Sequence, residues 1–544
     1  MSRDPAHAAR SIHNPILRGF HPDPSILRWG DAYYIASSTF EWFPGVRLHR
    51  SADLVSWCSA GHVLTRQSQL DMVGNPDSGG VWAPDLSEHD GVVYLVYTDV
   101  KSWGTGTFDA HNYVVRADRP EGPWSEPSYL NSSGFDPSLF HDDDGRSWLV
   151  NMLNDVRLPG DPFGGIVLQE FDREELRLVG EPQVIFRGSG HGMTEGPHVY
   201  KHDSRYYLMT AEGGTVYEHQ VTVARAERLE GPYEIDPENP VLTSREDANL
   251  ALQKAGHASL VHTPDGEPYL AFLSGRPVLP RRLCPLGRET ALARATWTAD
   301  GWLRLADGGR APAVVVQAPA AVRADPAAET PPAEQAVEFG PGGLPDDFQT
   351  LRVPLDARWA DLAARPGHLR LRGRESLASR HRQSLVGRRR QAFVCEAEVT
   401  VEAEPRSFQH MAGLVCYYDT RNYIYLHLTH DQERGRVVAL LQADAGMVGR
   451  PKHEPVSVPA DRPVRLRMKL EHDRLRCFVA AGAGPWRPLG PMFDAALLSD
   501  EYDGLGFTGT FLAMAAQDLA GSGFHADFAR FVYREEPDAP PAAG

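Results

Sequence analysis

Three acids stand near the starts of similar phrases in the first half of this 544-residue chain: Asp23 in HPDPS, Asp136 in GFDPS and Glu195 in TEGPH. A carboxyl group donates or accepts a proton according to its surroundings, so three of them drawn to one point would form an acid–base active site. A single Asp-Pro is more often a turn or cap residue. Three acids at the openings of strands, beside aromatics and a His, point to an active site instead.

The elements that must position them are repeats. Each acid belongs to a phrase that returns about every sixty residues, five times. The copies begin HPDPSILRWGDAYYIA at His21, WAPDLSEHDGVVYLVYT at Trp82, FDPSLFHDDDGRSWLVNM at Phe135, EGPHVYKHDSRYYLMT at Glu195 and GHASLVHTPDGEPYLAFL at Gly256. Each reads as two short strands joined by a tight turn such as Trp29-Gly30-Asp31, Asp143-Asp144-Gly145 or Asp265-Gly266. A repeat of this period cannot bury its own face and packs against its neighbours. Five four-stranded blades about one axis, a five-bladed β-propeller, satisfy that need. Alignment on Pro24, Pro84, Pro137, Pro197 and Ala258 puts Asp23 and Asp136 at one repeat position and Glu195 one place earlier. The first strand of a blade lies beside the axis, so the three acids should converge there. His257 takes the position of Asp23 in the fifth copy and should face the axis as well.

Length alone requires two or more domains. The repeats and their outer strands, with phrases such as SADLVSWCSAGHVL and ADRPEGPWSEPSYL, run from about Asn14 to Leu305, giving a propeller domain over 1–310. Residues 311–335 are rich in Ala and Pro and read as a linker. Short alternating runs follow over 336–544, among them AFVCEAEVTVEA, NYIYLHLTH and VRLRMKLEH, and suggest a β-sandwich. Helical candidates are few, around 356–364 and 494–499. The fold class is therefore all-β.

A formal charge of -17 argues against nucleic acid and anionic membranes as partners and is silent on neutral sugars. The five cysteines are scattered and lack metal-ligand spacing, which reads as free buried thiols in a reducing cytoplasm. The N-terminus has no apolar signal core and no stretch approaches transmembrane length, so a soluble, cytoplasmic protein is expected. No Walker loop, HExxH helix or G-x-S-x-G elbow is present. Asp142-Asp143-Asp144-Gly145 lacks the rest of a calcium-binding loop and reads as a solvated turn.

The phrases GFHPDPSI, WAPDLS, NSSGFDPSLFHDDDGR, TEGPHVYK, LTSREDANLALQKAGHASLVHT and CPLGRETA resemble glycoside hydrolase family 43, and more narrowly its two-domain β-xylosidases. DDFQTLRVPL, FQHMAGLVCYYDTRNYIYL and GFTGTFLAMAAQDLAG resemble the C-terminal, concanavalin-like sandwich of those enzymes. The resemblance implies that Asp23 is the general base, Glu195 the general acid, and Asp136 the residue that tunes and orients that acid. It implies a single displacement with inversion, for which base and acid stand about 6.5–9.5 Å apart. Glu195 must then hold a raised pKa, through burial or a nearby negative charge that Asp136 could supply.

By the same resemblance Phe40 and Trp82 flank the terminal sugar, although blade packing is the plain alternative for both. Arg288 contacts the carboxylate region and sugar hydroxyls, against the plain reading of a surface ion pair. Phe511 reaches over from the sandwich to close the pocket, which makes the action exo. His257 is either structural or a ligand to a central water or cation, so a divalent ion such as Ca2+ in the channel stays open although none is required. In NMLND, Asn154 stands where a Trp is expected on the leaving-group side, weakening the platform for a second sugar.

The implied function is release of D-xylose from the non-reducing end of β-1,4-xylooligosaccharides. An α-L-arabinofuranosidase, or an enzyme with both activities, is the nearest rival. A retaining fructosidase would want motifs that are missing here, and a non-catalytic sugar-binding propeller would lack one of the three acids. Assembly into a homodimer or homotetramer is expected from the resemblance alone.

Overall fold

The computed structural model describes residues 10–536, except 105–106, 159, 161 and 321–332. Five antiparallel sheets, each built in chain order, form the propeller. The first contains Ser25–Trp29, Ala32–Ser37, Gly45–Ser51 and Cys58–Leu64; the second opens with Gly80–His89, the third with Ser138–His141, the fourth with Glu195–His202 and the fifth with Gln253–His262. Every repeated phrase is thus the inner hairpin of one blade.

In four of the five copies the repeat position just before the shared Pro or Ala has a common backbone state. Asp23, Asp136, Gly196 and His257 are all left-handed, with φ of 52°, 51°, 57° and 47°. Side chains with a Cβ rarely adopt this region, so three non-glycine residues there mark a functional constraint. The next position ties the blades together. Ser25 Oγ donates to Asp85 Oδ1, Leu139 N–H donates to Asp85 Oδ2, Ser138 Oγ donates to the Pro197 carbonyl, and Ile26 N–H donates to Ser259 Oγ. One residue in each phrase therefore turns toward the axis, and its neighbour locks adjacent blades.

The segment 311–335 is only in part a connector. Val315–Gln317 pairs with Ser11–His13 and fastens the chain start beside the fifth blade, where Asn14 also exchanges hydrogen bonds with Leu292. Glu334–Glu338 already belongs to the second domain, where it pairs with His525–Glu535. The intervening residues 321–332 lie outside the described residues.

The C-terminal domain stacks two antiparallel sheets. Val394–Ala403 and Val464–Glu471 alternate buried and partly exposed positions, as one-sided strands should. Their inner faces enclose a core that includes Leu414, Leu426, Leu466 and Phe531. The helical expectation at 494–499 holds as a short 3-10 turn, Ala495–Leu498, capped by Asp494. That at 356–364 does not: Ala360–Asp361 pairs with Leu369–Arg372, and Asp356 spends its carboxylate on Arg358. Of the cysteines, all free, four are buried but Cys58 is exposed.

The two domains share a sheet and a core. The two-residue strand Trp42–Phe43 leaves the first blade and pairs with Phe348–Leu351 at the edge of the nine-stranded sheet. A second hydrophobic cluster runs from Phe20, Phe40 and Trp82 of the propeller to Tyr417, Phe507 and Phe511 of the sandwich. It lies directly behind the mouth of the propeller axis.

Candidate active site

A pocket opens on the axis, lined by Asp23, Phe40, Trp82, Phe135, Asp136, Glu195, Thr215, His219, His257, Arg288 and Phe507, with Ala83 and Leu273. All three predicted acids meet there, although 172 positions separate Asp23 from Glu195 in the sequence. The left-handed repeat position is what swings Asp23, Asp136 and His257 inward. In the fourth blade Gly196 holds that position and Glu195 precedes it. A Cβ on Gly196 would sit 2.9 Å from His257 Nε2, so the backbone can pass beneath this ring only as glycine.

Each acid has a distinct environment. Asp23 is buried; its Oδ2 accepts from Ser38 Oγ at 2.6 Å and its Oδ1 from Arg288 Nη1 at 3.0 Å. His257 Nδ1 stands 3.8 Å from the same Oδ1. Asp136 Oδ2 accepts the Gly196 N–H at 3.1 Å. Burial, then the charges of Glu195 and Asp23, push the Asp136 carboxyl well above its ordinary range, and Arg288 opposes them. Glu195 is only half-buried and faces the pocket. Burial lowers the pKa of His257 and keeps its ring neutral.

Arg288 joins these parts. Besides Asp23 it donates to Thr215 Oγ1 at 3.0 Å and to the Phe507 carbonyl at 3.2 Å, and its guanidinium lies over the rings of Phe40 and Phe507. It is buried, so the surface ion-pair reading fails. Phe40 and Trp82 do line the pocket; they also pack against one another and on Phe507, so packing and site contact coincide. Trp82 is held by its Nε1–H, which donates to the Ser78 carbonyl at 2.9 Å.

The closing residue differs from the expected one. Phe511 does not line the pocket; fully buried, it stacks on Trp42 with ring centroids 3.5 Å apart. Phe507, four residues earlier in the same GFTGTF phrase, supplies the wall. Phe511 opens the strand Phe511–Asp518 and its side chain is committed to the core, whereas Phe507 belongs to the preceding loop. That loop docks tightly: a Cβ on Gly287 would lie 1.8 Å from the Thr508 carbonyl oxygen. Thr215, His219 and Phe135 are further lining residues without a prior assignment. Phe135 directly precedes Asp136 in its motif, the one signal that could have marked it. Asn154 ends the strand Ser147–Asn154, donates its N–H to the Ser133 carbonyl and is not among the lining residues.

The channel below offers little to a divalent cation. His198 and His257 rings are 6.5 Å apart, and Asp85 uses its oxygens on Ser25 and Leu139. Among the described residues no three His, Cys, Asp or Glu side chains converge as ligands.

Residues 12–303 match the glycosyl hydrolases family 43, which is 292 of the 544 positions. The chain belongs to that family. Residues 336–534 match the concanavalin A-like C-terminal domain of β-xylosidases. This family 43 chain is similar to a β-xylosidase of Bacillus subtilis (strain 168), 47% identical over 536 residues that span 96% of this chain and 100% of the relative. It is also similar to the xylosidase/arabinosidase 43B of Humicola insolens, 46% identical across 96% of this chain and 97% of that protein. The crystal structure of a xylan β-1,4-xylosidase from Bacillus halodurans C-125 superposes with a TM-score of 0.94 at 52% identity, covering 96% of this chain and 100% of that one. Propeller and sandwich are thus both family features, in the order read from the sequence.

Proposed function

We propose that this family 43 glycoside hydrolase is an exo-acting, inverting β-xylosidase that releases D-xylose from the non-reducing end of β-1,4-xylooligosaccharides. The observation that carries the reading is the meeting of Asp23, Asp136 and Glu195 in a pocket walled off by Phe507 of the second domain. The names of the most similar relatives support the substrate class.

In this mechanism Asp23 is the base. Arg288 and Ser38 hold its carboxylate in one orientation, so it can take a proton from a water that attacks the anomeric carbon. Glu195 is the acid and protonates the leaving oxygen from the other face of the sugar. Asp136 stands beside Glu195 in the buried floor of the pocket, where burial and the charge of Glu195 push the Asp136 carboxyl upward. The hydrogen bond from Gly196 N–H to Asp136 fixes the turn that carries Glu195. Phe40, Trp82 and Phe507 pack on the apolar faces of one terminal sugar, and the wall they form leaves the site open to chain ends only.

Arabinofuranosidase activity at the same site is the second reading, favoured by the resemblance to xylosidase/arabinosidase 43B. An intracellular location belongs to the same proposal and is supported by the five free thiols. Assembly into dimers or tetramers also belongs to it, and sedimentation of the purified protein tests it.

Proton NMR during xylobiose hydrolysis tests the main proposal. Early appearance of α-xylose is the expected result. Early β-xylose would keep the substrate and overturn the roles of base and acid. Activity confined to arabinofuranosides would replace the xylosidase reading.

A further inference from the structure

Behind the base, where propeller meets sandwich, lies a buried group of hydrogen-bond donors that the reaction does not use. Arg47 and His49 alternate along Gly45–Ser51 and so share a face, and His62 sits opposite Arg47 on the paired strand Cys58–Leu64. From the sandwich, Arg389 reaches His21 Nε2 at 3.1 Å, and the His21 and His49 rings meet edge to face at 4.7 Å. His21, His49, Arg47 and Arg389 are all buried.

Hydrogen-bond capacity sets the character of this group. A guanidinium can only donate, so His21 Nε2 must accept and the His21 proton must sit on Nδ1. That Nδ1–H, the Nε–H of Arg47 and the Nε–H of Arg389 have no acceptor among the described residues; His49 Nδ1 and His62 Nε2 are also without a partner there. Charge is unbalanced in the same sense. Arg47, Arg388 and Arg389 face the single carboxylate of Asp347, which pairs with Arg47 at 2.8 Å and lies 3.9 Å from Arg388. Burial and Arg47 together hold the Arg389 pKa well below its ordinary value, with only Asp347 opposing. Unpaired donors and excess positive charge are both costly in a low-dielectric interior.

We propose that this cluster binds a small monovalent anion of the halide class, with His21 Nδ1–H and the Nε–H groups of Arg47 and Arg389 as donors. A halide accepts several hydrogen bonds, donates none and supplies the missing negative charge. A water molecule would bring no negative charge to the excess of guanidinium groups.

The site bears on the active centre through the backbone. His21 lies two residues before Asp23; its N–H donates to the Arg288 carbonyl and its own carbonyl accepts from Thr290 Oγ1. An ion bound there secures the segment that carries the base and the strand that Arg288 opens, and it ties them to Arg389 of the sandwich.

Bromide is the probe. Crystals of the whole protein grown with bromide should show an anomalous peak within hydrogen-bond distance of His21 Nδ1 and Arg389 Nε. In solution, exchange of sodium methanesulfonate for sodium chloride at constant ionic strength should raise the melting temperature by roughly 2–5 °C. Arg47→Gln should abolish that salt-specific rise; should the variant fail to fold, the bromide peak in the unaltered protein decides. No peak at the cluster, or equal melting temperatures in the two salts, overturns the proposal.

Discussion

Arg288 binds Asp23 at 3.0 Å with one amino group and the Phe507 carbonyl at 3.2 Å with the other. One guanidinium thus orients the proposed base in the propeller and the closing loop of the sandwich. Docking of the second domain and alignment of the base are a single event at this residue. Asp23→Ala should therefore abolish turnover of every xyloside while leaving the fold intact. Appreciable activity from the purified variant, on xylobiose or on an aryl xyloside, would remove Asp23 as the base.

Glu195 donates a proton only to leaving groups that need one. Glu195→Ala should cost on the order of 10²–10⁴-fold in kcat on xylobiose. Aryl xylosides with acidic phenols should lose far less. Equal losses on both substrates would end the assignment of Glu195 as the acid.

Phe507 and Phe511 should separate function from stability. Phe507→Ala removes a pocket wall and should lower kcat/KM on the order of 10–100-fold with a modest change in melting temperature. Phe511→Ala leaves a void beside Trp42 and should cost roughly 3–5 kcal/mol of stability. Folded Phe511→Ala protein should keep most of its activity below its melting range. The reverse pattern in paired kinetic and unfolding measurements would restore Phe511 as the closing residue.

Asp85 makes a prediction about pH. Burial pushes its carboxyl from the ordinary 3.8 up to about 7, against the hydrogen bonds from Leu139 and Ser25. The folded state therefore holds the proton more tightly than the unfolded chain. This contribution to stability is complete below about pH 4 and is lost as pH rises toward 7. Glu41, pushed up to about 8, and Asp500, up to about 7, act in the same direction. Asp85→Asn should flatten the fall in melting temperature between pH 4 and 7. Curves that run parallel for the variant and the unaltered protein would refute the assignment.

What the sequence disclosed follows from how local each feature is. The blades were legible because every phrase is a self-contained hairpin with its own turn, and the acids because one repeat position marks the axis. The left-handed backbone of Asp23 and Asp136 was not legible, since Asp-Pro alone does not dictate it. Phe507 was out of reach for another reason. Its place depends on a loop more than two hundred residues beyond Gly287 docking against that glycine. The stretch 356–364 has helical composition, but pairing with Leu369–Arg372 outweighs local propensity there. The charge interplay was foreseen in part: a raised carboxyl was expected at Glu195, and burial with the charges of Glu195 and Asp23 raises Asp136.

Phe507 gives the enzyme an order of assembly. A ribosome that has made the propeller has already made all three acids, but the wall of their pocket comes about three hundred residues after the last of them. Trp42–Phe43, made early, likewise waits for Phe348–Leu351 before its edge is paired. A nascent or prematurely ended chain therefore carries the reactive groups in an unfinished vessel. Hydrolytic activity reports that synthesis has passed Phe507.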